Sequence, residues 1–366
     1  MTSSRRSNRA ATAVSLLAAA GMIGWMAAGS RRRYPVHGKV VLITGGSRGL
    51  GLALAETFGR AGARLVLTAR DEQELRRAQA LLVERGAAPT AEHVTLLPCD
   101  LRDAAAVDAM VATATLLLGR IDVVINNAGV IVVGPVENQP LAAYRESMES
   151  NYFGMVHTTL AVLPQMLSRS RTEGRDPGAI VNITSIGGKV AVPHLLPYSA
   201  SKFAAVGFSQ GLHAELASKG VRVTTVCPGL MRTGSPGKAL VVGDREREFR
   251  WFHLGASLPL VASSAGHAAR RILRAVECGE GELAITPQAA VAARLAQVAP
   301  AVTAGVLSLV NSALLPAPVA GSQQPQAGSE TDGRALRPLT VAGDKAAVRW
   351  NQVAGAIPGA GGSEAG

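Results

Sequence analysis

Residues Lys39 to Gly51 read KVVLITGGSRGLG, an uninterrupted apolar run that ends in a cluster of glycines. A run without polar alternation predicts a parallel strand covered on both faces, because a strand with one wet face alternates apolar and polar side chains. Glycines placed directly after such a strand let the backbone turn tightly and come close to a ligand. The next residues, Leu52 to Arg60, have helical spacing. A helix N-terminus leaves amides without partners and so suits a phosphate. A glycine cluster alone is weak evidence for a nucleotide site. Its position between the first strand and the first helix is the context that such a site needs.

The same strand-then-helix unit recurs outward from this stretch. Further runs are ARLVLTAR (63–70), HVTLLPCD (93–100), IDVVINNAG (121–129), GAIVNITS (178–185), VRVTTVCPG (221–229) and GELAITPQ (281–288). Amphipathic stretches at Leu52–Arg60, Glu72–Arg85 and Ala104–Leu118 separate the early ones. The alternation predicts an α/β domain over residues 37–287, a doubly wound, Rossmann-like parallel sheet of about seven strands. An N-terminal apolar helix and a C-terminal helical and flexible extension complete the expected architecture.

The chain has 366 residues, 48% hydrophobic and 17% charged, so it can build a large core and is not disordered as a whole. Its formal charge of +11 invites a nucleic-acid reading. Six arginines (Arg5, Arg6, Arg9, Arg31, Arg32 and Arg33) flank a single apolar segment and account for more than half of that excess. No basic stripe interleaved with aromatics occurs elsewhere, so no nucleic-acid partner is expected. Cys99, Cys227 and Cys278 lie far apart, in neither a disulfide framework nor metal-ligand spacing. They read as buried thiols in a reducing compartment, and no metal is expected.

Between those arginines, Ala10 to Gly29 carries no charge over 20 residues. As a helix it would measure about 30 Å, the thickness of a bilayer core. We read residues 1–36 as a membrane anchor, with the catalytic domain on the cytoplasmic side. Two alternatives stay open. A cleaved signal peptide is opposed by Arg31–Arg33, and a buried soluble helix would keep a polar face.

A second motif falls inside the same domain. In YSASK, Tyr198 and Lys202 stand one helical turn apart, on the same face. In isolation such a pair is most often a surface tyrosine with a solvated lysine. Here it is one of seven marks in order: TGGSRGLG (44–51), CDLRD (99–103), NNAG (126–129), SNYFG (150–154), NITS (182–185), YSASK (198–202) and CPGLMRT (227–233). On these marks residues 38–287 resemble the short-chain dehydrogenase/reductase family.

The resemblance implies an oxidoreductase that moves hydride between a nicotinamide dinucleotide and a carbonyl or alcohol. It puts the general acid/base on Tyr198, a substrate hydrogen bond on Ser185, and a water that links Lys202 to solvent on Asn151. Gly45, Ser47, Arg48, Gly49, Leu50 and Gly51 would hold the cofactor phosphates. Asp100 and Leu101 would border the adenine, Asn127, Ala128 and Gly129 the ribose region, and Pro228, Gly229 and Thr233 the nicotinamide. Tyr198 and Lys202 would face the cofactor as well. A free phenol titrates near 10, and moving it to about 7 takes about 4 kcal/mol. One ammonium about 4 Å away, at an effective dielectric near 20, supplies about that much. Lys202 is therefore expected to lower Tyr198 in a water-poor pocket.

In this fold a carboxylate at the end of the second strand would favour NAD. The sequence instead places Ala69 and Arg70 there, with Asp71 slightly too late. Arg70 and Arg48 together suit a 2′-phosphate, so NADP(H) is expected over NAD(H).

The segment after Thr233 is similar to the family's substrate lid. Trp251, Phe252, Leu254, Leu258 and Leu260 give it an apolar side, and Asp244–Glu248 (DRERE) a solvated one. His194 and His253 read as packed or surface residues. An apolar lid fits a small lipid-, steroid- or 3-oxoacyl-like substrate. Within residues 288–366, Gln288–Leu315 reads as a helix lying on the protein or membrane surface. Pro316 onward reads as flexible, with LRPLTVAGDKAAVRWNQ (336–352) able to dock a short helix. Self-association into a homo-oligomer is also expected. The rival reading is a non-catalytic NADP-binding sensor or scaffold, a type that usually lacks the tyrosine or lysine. An epimerase/dehydratase branch is opposed by the spacing of the glycines.

Overall fold

The computed structural model describes residues 33–172, 178–258, 262–330 and 337–353, with side chains from 340 in the last stretch. The expected anchor, Ala10–Gly29, and the lid residue Leu260 lie outside the described residues.

All seven predicted runs become strands of one sheet: β1 (Val40–Thr44), β2 (Arg64–Thr68), β3 (Val94–Leu96), β4 (Val123–Asn126), β5 (Ala179–Ile183), β6 (Arg222–Cys227) and β7 (Glu282–Ala284). They lie in the order β3-β2-β1-β4-β5-β6-β7, and every pairing is parallel. The helices between them are α1 (Gly49–Arg60), α2 (Glu72–Glu84), α3 (Ala104–Leu118), α4 (Leu141–Met148), α5 (Gly154–Thr172), α6 (Leu196–Leu216), α7 (Arg245–Ser257) and α8 (Ala265–Cys278).

The unbroken apolar runs follow from burial on both faces. In β1, Val41 and Ile43 face a core shared with α1, α2 and α8, whereas Val40 and Leu42 face one shared with α3, α5 and α6. Strand order reverses between β1 and β4, so the chain leaves these neighbours toward opposite faces and a crevice opens at their C-terminal ends. The other end is stitched by Asp122, 2% exposed, whose Oδ2 accepts from the Val40 amide at 3.0 Å while its Oδ1 pairs with Arg120 at 2.6 Å.

Two boundaries differ from the sequence reading. Tyr34 and Val36 are fully buried, and the Tyr34 amide donates to the Glu277 carbonyl at 2.8 Å, so the domain starts at or before Tyr34 and not at residue 37. Gln288–Leu315 is two helices, α9 (Pro287–Val298) and α10 (Pro300–Leu314), because Pro300 cannot continue a helix past Ala299. Both expose apolar side chains, among them Val298 at 84% and Leu309 at 67%. Among the described residues no helix is long and apolar enough to cross a membrane. The stretch expected to dock a helix does so: α11 (Arg337–Arg349) packs on α7, where Asp344 Oδ1 lies 3.3 Å from His253 Nε2. Of the three cysteines, Cys99 and Cys227 are buried, while Cys278 at the end of α8 is exposed.

Candidate active site

The glycine turn takes the conformation its residues allow. Gly45 and Gly49 have φ of +62° and +56°, a region that side chains disfavour. A Cβ on Gly51 would collide with the Gly45 carbonyl, so that glycine lets α1 start hard against the turn. Thr44 Oγ1 accepts from the amides of Asn127 at 2.9 Å and Ala128 at 3.1 Å, and Asn127 Nδ2 donates to the carbonyls of Thr44 at 3.0 Å and Gly45 at 3.2 Å. These bonds lock the turn after β1 to the loop after β4 along the crevice.

A cavity of about 520 Å³ runs over this edge of the sheet. Every residue assigned above to the cofactor lines it except Gly51, which packs beneath. The residues present fit a dinucleotide: a glycine cradle with no room for side chains, a helix N-terminus behind it, and a cavity within the usual size of a cofactor site.

The catalytic wall is built by β5 and α6. Ser185 follows the end of β5, and its Oγ accepts from the Gly187 amide at 3.0 Å. A Cβ on Gly187 would lie 3.3 Å from the Tyr198 ring and 3.4 Å from Ser185 Oγ. A Cβ on Gly188 would collide with the Lys202 carbonyl. The two glycines thus let α6 press against the turn and set the phenol beside Ser185. Lys202, 4% exposed, donates from Nζ to the Ile183 carbonyl at 2.9 Å and lies 5.8 Å from the centre of the Tyr198 ring.

Electrostatically the pair departs from expectation. Burial pushes the Tyr198 phenol above its usual value, with the Ser185 hydrogen bond pulling the other way. Burial also brings the Lys202 amine from 10.5 down to about 8. The ammonium is tied to the Ile183 carbonyl, and desolvation dominates the shift of the phenol.

Asn151 sits in a π-helical turn, Glu149–Phe153, a local widening common at functional sites. Its Oδ1 accepts from the Val130 amide at 2.7 Å, and its Nδ2 donates to the Val130 carbonyl at 3.1 Å and to Ser201 Oγ at 2.9 Å. Ser201 Oγ in turn donates to the Tyr198 carbonyl at 2.7 Å. The carboxamide therefore ties the loop after β4 to the turn of α6 that carries the phenol, and does not line the cavity.

At the end of the cavity lined by Arg48, Arg70 and Arg102, sequence reasoning missed Glu74. This buried carboxylate takes the Arg48 guanidinium at 2.7 and 3.0 Å and the Ser47 hydroxyl at 3.2 Å. Arg48 lines the cavity but its charge is already matched. Arg70 is exposed and forms no ion pair among the described residues. Asp71 accepts from the Glu74 amide at 2.9 Å as the N-cap of α2, and that bond holds its carboxyl below the usual range. Arg102 does the same for Asp100 through a bidentate pair.

Beside Tyr198, an apolar cluster joins Val133, Leu195, Ala239 and Leu230 to Trp251 and Phe252 of helix α7. The DRERE stretch is not all solvated. Glu248 is fully buried, held by His194 Nδ1 at 2.7 Å and by the Trp251 indole at 2.7 Å.

A family model described as short chain dehydrogenase matches residues 39–239. A "Dehydrogenase/reductase SDR family protein 7-like" from Anopheles gambiae is 38% identical over 274 residues, covering 73% of this chain and 81% of the relative. The crystal structure of an actinorhodin polyketide ketoreductase variant with NADPH is 30% identical, with a TM-score of 0.58, over 68% of this chain and 95% of that one. A short chain dehydrogenase/reductase from Burkholderia phymatum in complex with NAD is 24% identical, with a TM-score of 0.64, over 74% and 96%. At that identity the likeness speaks for the fold alone.

Proposed function

The chain belongs to the short-chain dehydrogenase family of oxidoreductases, and from that premise we propose that it uses NADP(H) to reduce a carbonyl on an apolar substrate. The observation that carries this reading is the wall formed by Ser185, Tyr198 and Lys202 between the glycine cradle and an apolar cluster. A nicotinamide dinucleotide supplies the hydride. Ser185 Oγ orients the carbonyl oxygen, and Tyr198 gives that oxygen its proton as the alcohol forms. Burial keeps the phenol protonated near neutrality, which suits a donor and hence reduction. With its pKa at about 8, Lys202 is mostly an ammonium at neutral pH and stabilises the phenolate left behind.

Three features support NADP(H) over NAD(H). Ala69 takes the place of a ribose-binding acid, Asp71 is engaged in capping α2, and Arg70 stands at the rim. Arg48 adds less than its position suggests, because Glu74 already neutralises it.

The test is purified protein with NADPH or NADH and a panel of apolar ketones. Turnover that Tyr198→Phe abolishes supports the enzyme. Tight NADPH binding without turnover of any ketone would identify a sensor or scaffold instead.

We further propose that the protein is attached to a membrane through residues 10–29, with the catalytic domain on the cytoplasmic side. The exposed apolar side chains of α9 and α10 would rest on the lipid. Exposed Phe153, Leu160 and Phe203 support self-association. Flotation with liposomes tests the first point: a chain lacking residues 1–32 that floats as well as the full chain refutes the anchor.

A further inference from the structure

The last described residues end against the glycine turn, where no sequence motif placed them. Trp350, 5% exposed, joins the core beside α1 and α8, with the guanidiniums of Arg349 and Arg85 at 4.9 and 5.6 Å from its ring. Its carbonyl accepts from the Gly49 amide at 2.8 Å. Asn351 turns the chain with a φ of +56°, and its Nδ2 donates to the carbonyls of Ser47 at 2.9 Å and Glu74 at 3.2 Å. Gln352 follows, its amide bonded to the Ala347 carbonyl at 2.9 Å.

The Gln352 side chain is 7% exposed and lines the cavity between Gly49 and Thr233. A Cβ on Gly49 would sit 2.7 Å from its Nε2, so the absent side chain makes room for this carboxamide. Its Oε1 is buried and has no hydrogen-bond partner among the described residues. A buried acceptor left unpaired is costly, and such groups in native proteins generally find a partner.

We propose that Gln352 is a cofactor-binding residue, its carboxamide completing the site where the diphosphate and the adjoining ribose of a bound dinucleotide lie. The chemistry matches at the cavity-facing end of the carboxamide: the NH₂ group donates to an anionic oxygen, while Oε1 lies beneath it, sealed from the cavity. Trp350 and Asn351 fix the backbone so that this one side chain enters the cavity. The segment is a wall and not a plug, because about 520 Å³ stays open with Gln352 in place. This role rests on the dinucleotide reading of the cavity.

Calorimetric titration of the full chain with NADPH and with NADH tests it without reference to turnover. Gln352→Ala weakens both dinucleotides by about tenfold, consistent with loss of one or two hydrogen bonds. Gln352→Glu weakens them further, because an anion then faces the diphosphate, and Gln352→Lys binds more tightly than Gln352→Glu. The thermal midpoint without ligand serves as the folding control and stays at the wild-type value for Gln352→Ala. Wild-type binding together with Gln352→Ala affinities within twofold, or tighter, overturns the role of Gln352 and leaves the cavity reading intact. Failure of the wild-type protein to bind either dinucleotide overturns both.

Discussion

The two ends of the cavity handle positive charge in opposite ways. At the arginine-lined rim, Arg48 is matched by Glu74 at 2.7 Å and Arg102 is matched by Asp100. On the catalytic wall, Lys202 is more deeply buried than either and is held by a carbonyl, with no carboxylate paired to it among the described residues. The rim pays for order with paired charges, whereas the wall keeps a cation with no carboxylate partner among the described residues beside the proposed proton donor. Burial of such a cation costs folding free energy, and the depressed amine records that cost.

The sharpest way to break this contrast is Tyr198→Phe. Loss of the proton donor lowers turnover by about 10³-fold, within the range for general acid catalysis. NADPH affinity by titration stays within twofold. Similar turnover in the variant would place the proton elsewhere.

Lys202→Met comes next, with effects of opposite sign on activity and stability. Turnover falls by about 10²-fold as the phenolate loses its cation. Stability at pH 7 rises, because a desolvated ammonium is gone, by at most about 3 to 4 kcal/mol for a lysine moved from 10.5 to about 8. The sign follows from proton counting. Between about pH 8 and 10.5 the unfolded lysine binds a proton that the folded one has released, so wild-type stability rises with pH across that window. Below about pH 8 both states are protonated and the full cost remains. Urea titrations at pH 7 and pH 10 read the effect, which the variant lacks.

The rim yields smaller changes. Arg70→Asp raises the Michaelis constant for NADPH about tenfold and that for NADH much less, as expected when one charged contact to a phosphate is reversed. Equal changes for both dinucleotides refute the assignment of Arg70. Glu74→Gln frees the Arg48 guanidinium and tightens NADPH two- to fivefold over NADH, about 0.4 to 1 kcal/mol. No change there would mean that Arg48 does not face the phosphate even when it is unpaired.

Legibility in the sequence followed the range of the interactions. Each strand of the sheet declared itself through a local apolar run, and the glycine turn through its spacing. The wall residues fell within a short span from Ser185 to Lys202, so motif order located them. What escaped was set at long range or by burial depth. Glu74 reads as one more acid on an amphipathic helix until α2 folds its inner face against the basic turn. Glu248 looks solvated within DRERE, yet His194, 54 positions away, draws it inward. The direction of the Tyr198 shift depended on desolvation against the distance of an ammonium, and neither quantity is written in YxxxK. The pause between α9 and α10, by contrast, was available from Pro300 alone.

Asn351 and Ser47 meet across 304 positions of the chain. During synthesis the nucleotide turn therefore emerges long before the residues that clasp it. A nascent domain holds every recognisable signature yet lacks one side of the cavity until residues 350–352 have been made. A stop codon after Arg349 would produce a polypeptide with every motif intact and without the clasp on the glycine turn.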